Sequence, residues 1–249
     1  AGVIPFGLAY GVLAVQGGLT IGDATTTVTT TFGGTTPALT TANTLTVTAN
    51  ATFTAGASTL NVAGSFTNNG TFSQSGGTLV MNGTGTLTTN GNTINNLTTS
   101  GGGTITLANA THTLAGNLTL ASGGTLTAGT STVVMSGSAK TIDGGGKTLN
   151  NLTISDSTTL QNTDLTVAAA LAVADTKTLT LNASRVLTLS GNSGTTLNLN
   201  TTGTVAGAGM LTYQNSATTV TTSGTINSVF RFDHVNGNMV FPQRTFGGQ

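Results

Sequence analysis

From about residue 35 onward the chain consists of short runs in which Thr or Asn alternates with Leu, Val, Ile or Phe. TLTVTANATFTAG, STLNVAGSFTNNGTFSQSGG, GTITLANATHTLAGNLTLASGG and KTLTLNASRVLTLSG are examples. A period of two sends every apolar side chain of a run to the same side, the mark of a strand with one buried face. Gly, Asn, Ser and Ala interrupt the runs about every six to ten residues, too often for helices to intervene, so the pattern predicts an all-β architecture. The opening segment, AGVIPFGLAYGVLAVQGGLTI, is the only strongly apolar stretch. Gly and Pro spread through it would weaken a membrane helix. Instead Ile4, Phe6, Leu8, Tyr10 and Val12 alternate with Pro5, Gly7, Ala9 and Gly11, which predicts a strand rather than a membrane span.

A longer echo runs through the middle of the chain. TLVMNGTGTLTTNGNTINNLTTSG, from Thr78, returns as TVVMSGSAKTIDGGGKTLNNLTISD, from Thr132, with Met81 matching Met135 at an offset of 54. Such a period fits about three turns of a coil of ~18 residues. Two tandem sandwich domains would need hairpin dipeptides and a break in composition, and neither is evident. The expected fold is therefore a parallel β-solenoid (β-helix), with an apolar N-terminal strand and a C-terminal capping hairpin. At ~18 to 20 residues per coil it would hold roughly eleven or twelve coils stacked ~4.8 Å apart. Leu, Val, Ile and Phe would ladder inside, Asn at the corners and Thr outside. The expected divisions are 1–34 as N-terminal strand and linker, 35–226 as solenoid, and 227–249 as C-terminal cap or contact segment.

STVVMSGSAKTIDGGGKTLNNLTISDSTTLQNTDLTVAAALAVADTKTLTLN resembles the repeats of large bacterial surface proteins of the haemagglutinin and autotransporter-passenger type. The resemblance covers roughly residues 40 to 200. It implies export, a parallel β-helix and a structural or adhesive role, and it carries over no functional residue.

Composition narrows the function. Among 249 residues there are six Lys and Arg, six Asp, no Glu and no Cys, and the 116 positions between Asp23 and Lys140 hold no formal charge. Zero net charge lacks the basic footprint of a nucleic-acid binder. Without cysteine there is no disulfide framework, thiolate nucleophile or Cys-based zinc site. A charge-free run suits stacking, because like charges on adjacent rungs repel. The same lack of charge leaves a surface that does little to prevent association. No charged segment precedes an apolar stretch at Ala1, so no signal peptide is expected within the chain.

Catalytic chemistry has little to work with. His112 and His234 are the only histidines, and His112, in the strand THTL, reads as solvent-facing. Asp143, Asp156 and Asp164 lie 13 and 8 residues apart, out of register with an ~18-residue coil, and read as turn residues. Ile142-Asp143-Gly144-Gly145-Gly146 is one broken copy of the Ca²⁺-binding nonapeptide, which requires repetition. No enzyme activity, cofactor or metal is expected.

The ends carry the candidate contacts. Ile4, Phe6, Leu8, Tyr10 and Val12 form a row of knobs suited to strand addition on a neighbour. Phe230, Phe232, Val240 and Phe241 flank a hairpin signal at Val235–Asn238 and read as a cap, a subunit contact, or both. Residues 20–37 read as a flexible or weakly ordered connector.

Six Thr-x-Thr elements, starting at Thr46, Thr52, Thr86, Thr104, Thr125 and Thr178, raise an ice-binding array as a third alternative. Their separations of 6, 34, 18, 21 and 53 residues argue against a regular one. Nine Asn-x-Ser/Thr sequons, at Asn50, Asn69, Asn82, Asn96, Asn109, Asn117, Asn151, Asn182 and Asn200, are glycosylation candidates. The expected function is a secreted or cell-surface structural subunit whose partners are copies of itself, with surface glycans or other cells as further partners. A stalk fragment of a larger adhesin is the main alternative.

Overall fold

A computed structural model describes residues 12–23, 25–32, 38–41, 43–191, 196–214 and 224–233. The fold is all-β, with parallel strands stacked as a β-solenoid of about nine turns and no helix among the described residues. The chain divides into two compact units, Ala1–Gly129 and Thr130–Gln249.

Each coil of unit 1 has three faces. The first face stacks Val12–Val15, Ala38–Thr41, Thr59–Val62, Thr78–Met81, Asn96–Thr99 and Leu118–Thr119. Its register aligns Leu13, Leu39, Leu60, Leu79, Leu97 and Leu118 in a single interior ladder. From Leu39 onward these leucines are at most 2% exposed. Each one buried contributes about 1.5–3 kcal/mol relative to exposure.

The second face stacks Leu19–Ile21, Leu45–Val47, Phe66–Asn68, Gly85–Thr88, Thr104–Leu107 and Thr125–Thr127. The third stacks Val28–Thr31, Ala51–Gly56 and Thr71–Gln74, and further along Ile94 bridges to Leu114 of Thr111–Leu114. Inside, the Phe53 ring lies edge-on to Phe32 at 5.0 Å and 5.7 Å from Phe72, which meets Phe66 at 5.1 Å.

Unit 2 repeats the three-faced plan with some strands carried around a corner. Lys147–Ile154 pairs with Leu165–Val173, and a register shift between Leu149 and Asn151 marks the bend. Thr204–Tyr213 and Thr225–Phe232 turn the same way, with a shift between Ala206 and Met210. Gly207 sits in that bend at φ 107°, where an added Cβ would collide with the Leu181 carbonyl. Glycine is thus required there both for conformation and for space. Leu152, Leu171 and Leu197 form an interior ladder like that of unit 1.

Asn laddering at corners is present, in the form of amides that bridge coils. Asn68 Nδ2 donates to Thr89 O, Asn92 Nδ2 to Gly70 O and Asn95 Nδ2 to Gly77 O. Asn50, Asn90 and Asn162 hold φ of 64°, 47° and 51°, a left-handed conformation that Asn tolerates better than most residues.

The coil length departs from expectation. Register steps run from 18 residues (Thr78 to Asn96) to 26 (Val12 to Ala38, Ala170 to Thr196), so the turns are fewer than eleven or twelve. The strands on these faces stay near three or four residues, so the extra length falls in the segments between them. Three steps from Leu60 to Leu118 span 58 residues, and the 54-residue echo is therefore not a coil multiple there. Within 1–34, Leu19–Ile21 and Val28–Thr31 pair in register with the next coil, so much of the expected connector is solenoid. At the other boundary, residues 229–232 continue a solenoid strand. The hairpin signal at 235–238 lies outside the described residues.

Candidate functional site

The first coil of unit 1 ends the stack. Its strands pair on one side only among the described residues, and its interior opens into a cavity of about 470 Å³. Leu13, Val15, Leu19, Ile21, Val28 and Phe32 supply the apolar lining, with Asp23 at the same opening. The Thr25 and Thr26 backbone N–H groups donate to Asp23 Oδ1 at 2.9 and 2.8 Å. Donation from Thr26, then Thr25, lowers the Asp23 pKa to about 2. The opening therefore joins an apolar interior to one firmly ionised carboxylate.

Of the expected contact residues, Val12 lies in the first strand of this coil and is 62% exposed. Phe230 and Phe232 lie in Thr225–Phe232, half-buried, with ring centroids 4.3 Å apart. Phe232 also meets Tyr213 edge-on at 6.3 Å, which ties it to the preceding coil of unit 2. Val229 in the same strand is 60% exposed. Ile4, Phe6, Leu8, Tyr10, Val240 and Phe241 lie outside the described residues, as does His234.

His112 is not solvent-facing. It is 1% exposed, with Nδ1 3.1 Å from Thr89 Oγ1 and Nε2 3.0 Å from Ala108 O. A carbonyl can only accept, so Nε2 carries the proton and Nδ1 is left to accept from the Thr89 hydroxyl. Burial pushes the His112 pKa below its ordinary value. The neutral ring serves as an interior strut and is inaccessible to a substrate. The missed signal was strand parity: Leu114 points inward, and His112 shares its side of the strand.

The aspartates of unit 2 also register differently from expectation. Lys177 Nζ reaches Asp156 Oδ1 at 2.9 Å, and Arg185 Nη1 reaches Asp164 Oδ1 at 3.3 Å, each across 21 residues. Both pairs span adjacent coils, since Thr158 registers with Leu179 and Leu165 with Leu187. The Lys177 hydrogen bond, then that from the Ser157 backbone, holds the Asp156 carboxyl below its usual range. No group of three or more potential metal ligands occurs among the described residues.

The outward side of unit 1's second face is nearly all threonine. Thr20, Thr46, Thr67 and Thr88 occupy one rank in register, and Thr86, Thr106 and Thr127 the next. Thr104 and Thr125 begin a third. The irregular separations in the chain arise because Thr52-Phe53-Thr54 lies on the third face and Thr178-Leu179-Thr180 in unit 2. Within the second face the spacing is simply one coil.

Two sequons serve the stacking itself. Asn96 Nδ2 donates to Gly76 O and Gly77 O while its Oδ1 accepts from Asn117 N; Asn151 Nδ2 donates to Ser131 O. A glycan on either nitrogen would break these links, whereas Asn50, Asn69, Asn82, Asn109, Asn117, Asn182 and Asn200 are exposed.

No protein-family model, curated protein or solved structure matches the chain.

Proposed function

We propose that the chain is an extracellular structural subunit that assembles end to end into a filament or surface fibre. The observation carrying this reading is the uncovered first coil of unit 1. A strand edge with free backbone donors and acceptors is a template for further pairing. Here that edge adjoins an open apolar interior of about 470 Å³ and the exposed Val12. Another copy, adding a strand or a coil, would cover both together. The alternating row from Ile4 to Tyr10 is the segment of this chain best suited by its pattern to do so.

The compositional resemblance to haemagglutinin-type surface repeats supports export and a mechanical role. Stacked backbone hydrogen bonds and interior ladders would supply the shaft, and the ends the joints. Negative-stain imaging and size-exclusion chromatography of the full chain test the proposal. Filaments of one repeating subunit are expected, and they should be lost on deleting residues 1–15 and on Val12→Asp with the circular-dichroism spectrum unchanged. Discrete monomeric rods from the unaltered chain would replace it with the adhesin-stalk reading.

A further inference from the structure

We infer that the second face of unit 1 binds ice. The two complete Thr ranks place β-branched side chains on a parallel sheet at ~4.8 Å between rungs and ~6.6 Å between alternate residues of a strand. Both repeats lie close to those of the oxygen lattice in hexagonal ice. Branching at Cβ restricts χ1, so the methyl and hydroxyl groups are held in a repeating arrangement before any ligand arrives. The hydroxyls of Thr46, Thr67, Thr88 and Thr106 have no partner among the described residues, which leaves each a donor and an acceptor for water. The methyl groups between them give that water an apolar floor.

Charge selects among possible ligands. The run from Asp23 to Lys140 is charge-free, so this face offers a neutral lattice to a neutral lattice and nothing to a polyanion or an acidic peptide. A polysaccharide would be expected to meet aromatic rings and carboxylates, but the aromatic residue of this sheet, Phe66, points inward at 0% exposed. The first face cannot serve in the same way, because its outward rank Thr40, Asn61, Val80, Thr98 and Thr119 mixes three chemistries.

The inference does not depend on filament assembly, because it rests on the side of the coil rather than on its end. The test is thermal hysteresis and ice-crystal decoration by the fluorescently labelled full chain. Three single variants accompany it: Thr67→Tyr and Thr106→Tyr on the second face, and Thr98→Tyr on the first. The unaltered chain and Thr98→Tyr should halt ice growth and coat the crystal, while the two second-face variants should lose both effects with unchanged melting temperatures. If tyrosine disturbs folding, the double variant Thr67→Val, Thr88→Val preserves shape and strand preference and should still weaken hysteresis. Absence of hysteresis in the unaltered chain, full activity in the second-face variants, or retention on crystalline cellulose or chitin without activity on ice would each overturn the inference.

Discussion

Between Asp23 and Lys140, unit 1 stacks its coils without a formal charge, while unit 2 sets Lys177 against Asp156 and Arg185 against Asp164 on successive coils. The interiors are alike: a leucine ladder runs through Leu39, Leu60 and Leu79 in one and through Leu152, Leu171 and Leu197 in the other. The difference is therefore confined to the outside. Parallel stacking brings any outward residue close to its counterpart one coil away, so a charge is tolerated when its neighbour is neutral or of opposite sign. Unit 1 meets this condition with Thr and Asn, and unit 2 meets it in part by alternating sign. A charge-free run is one solution to stacking rather than a requirement of it.

If the interiors are the common source of stability, the largest loss should come from them. Phe53→Ala removes a fully buried ring wedged between Phe32 and Phe72. It should cost about 3–5 kcal/mol in a urea titration. Leu171→Ala, from the uncharged interior of unit 2, should cost about 2–5 kcal/mol. A much smaller loss for Leu171→Ala would break the equivalence and assign unit 2 a stability based on its outer ion pairs.

His112 is the one titratable side chain within the charge-free run, and unit 1 offers no carboxylate there to compensate a proton on it. Its folded pKa lies below the ordinary 6.5 because burial disfavours the cation. The unfolded chain therefore takes up the proton first as pH falls. The stabilising contribution is complete above 6.5 and is lost as pH drops through the depressed folded value. His112→Leu should remove this acid dependence. It should also cost about 1–3 kcal/mol at neutral pH, since Ala108 O loses its donor. Hydrogen exchange across Thr111–Leu114 at several pH values reads both effects, and a pH-independent exchange pattern in the unaltered chain would sink the argument.

The two-residue alternation made the strands and the inward leucines legible, because strand parity needs only neighbours in sequence. Residues whose partners lie one coil away were less legible. An 18-residue coil separates Asp156 from Lys177 and scatters the Thr-x-Thr elements, whereas the local steps of 20, 21 and 26 residues bring them together. Segments between strands absorb insertions with little entropic penalty, so coil length drifts while register on each face is kept. His112 was within reach of parity alone. It was misread because a polar side chain in a Thr-rich strand was assigned outward by type instead of by its position relative to Leu114.

Placing charge on unit 1 sharpens the comparison further. Thr46→Lys with Thr67→Lys sets like charges on adjacent rungs, and Thr46→Lys with Thr67→Asp sets opposite ones at the same positions. The like-charged variant should be less stable by about 0.2–1 kcal/mol, with the gap closing in high salt. Equal stability of the two variants would show that the absence of charge in unit 1 has nothing to do with stacking.

The smallest effect is expected at the Asp156–Lys177 pair, whose side chains are 26% and 33% exposed and thus well screened. Asp156→Asn should lower the melting temperature slightly at low ionic strength and not at all in molar salt. The Asp156 carboxyl is held below its usual range chiefly by Lys177, so its contribution is present above 3.8 and fades as pH falls through the depressed value. The informative variant is the exchange Asp156→Lys with Lys177→Asp. Asp156 also accepts the Ser157 backbone N–H, so the exchange loses that bond even as it restores opposite charge across the coils. Recovery of the salt-dependent part alone, with the Ser157 contribution still missing, would establish that sign alternation between coils sustains the charged stack of unit 2. Failure to recover even that part would trace the pair's effect to the local turn at Asp156 instead.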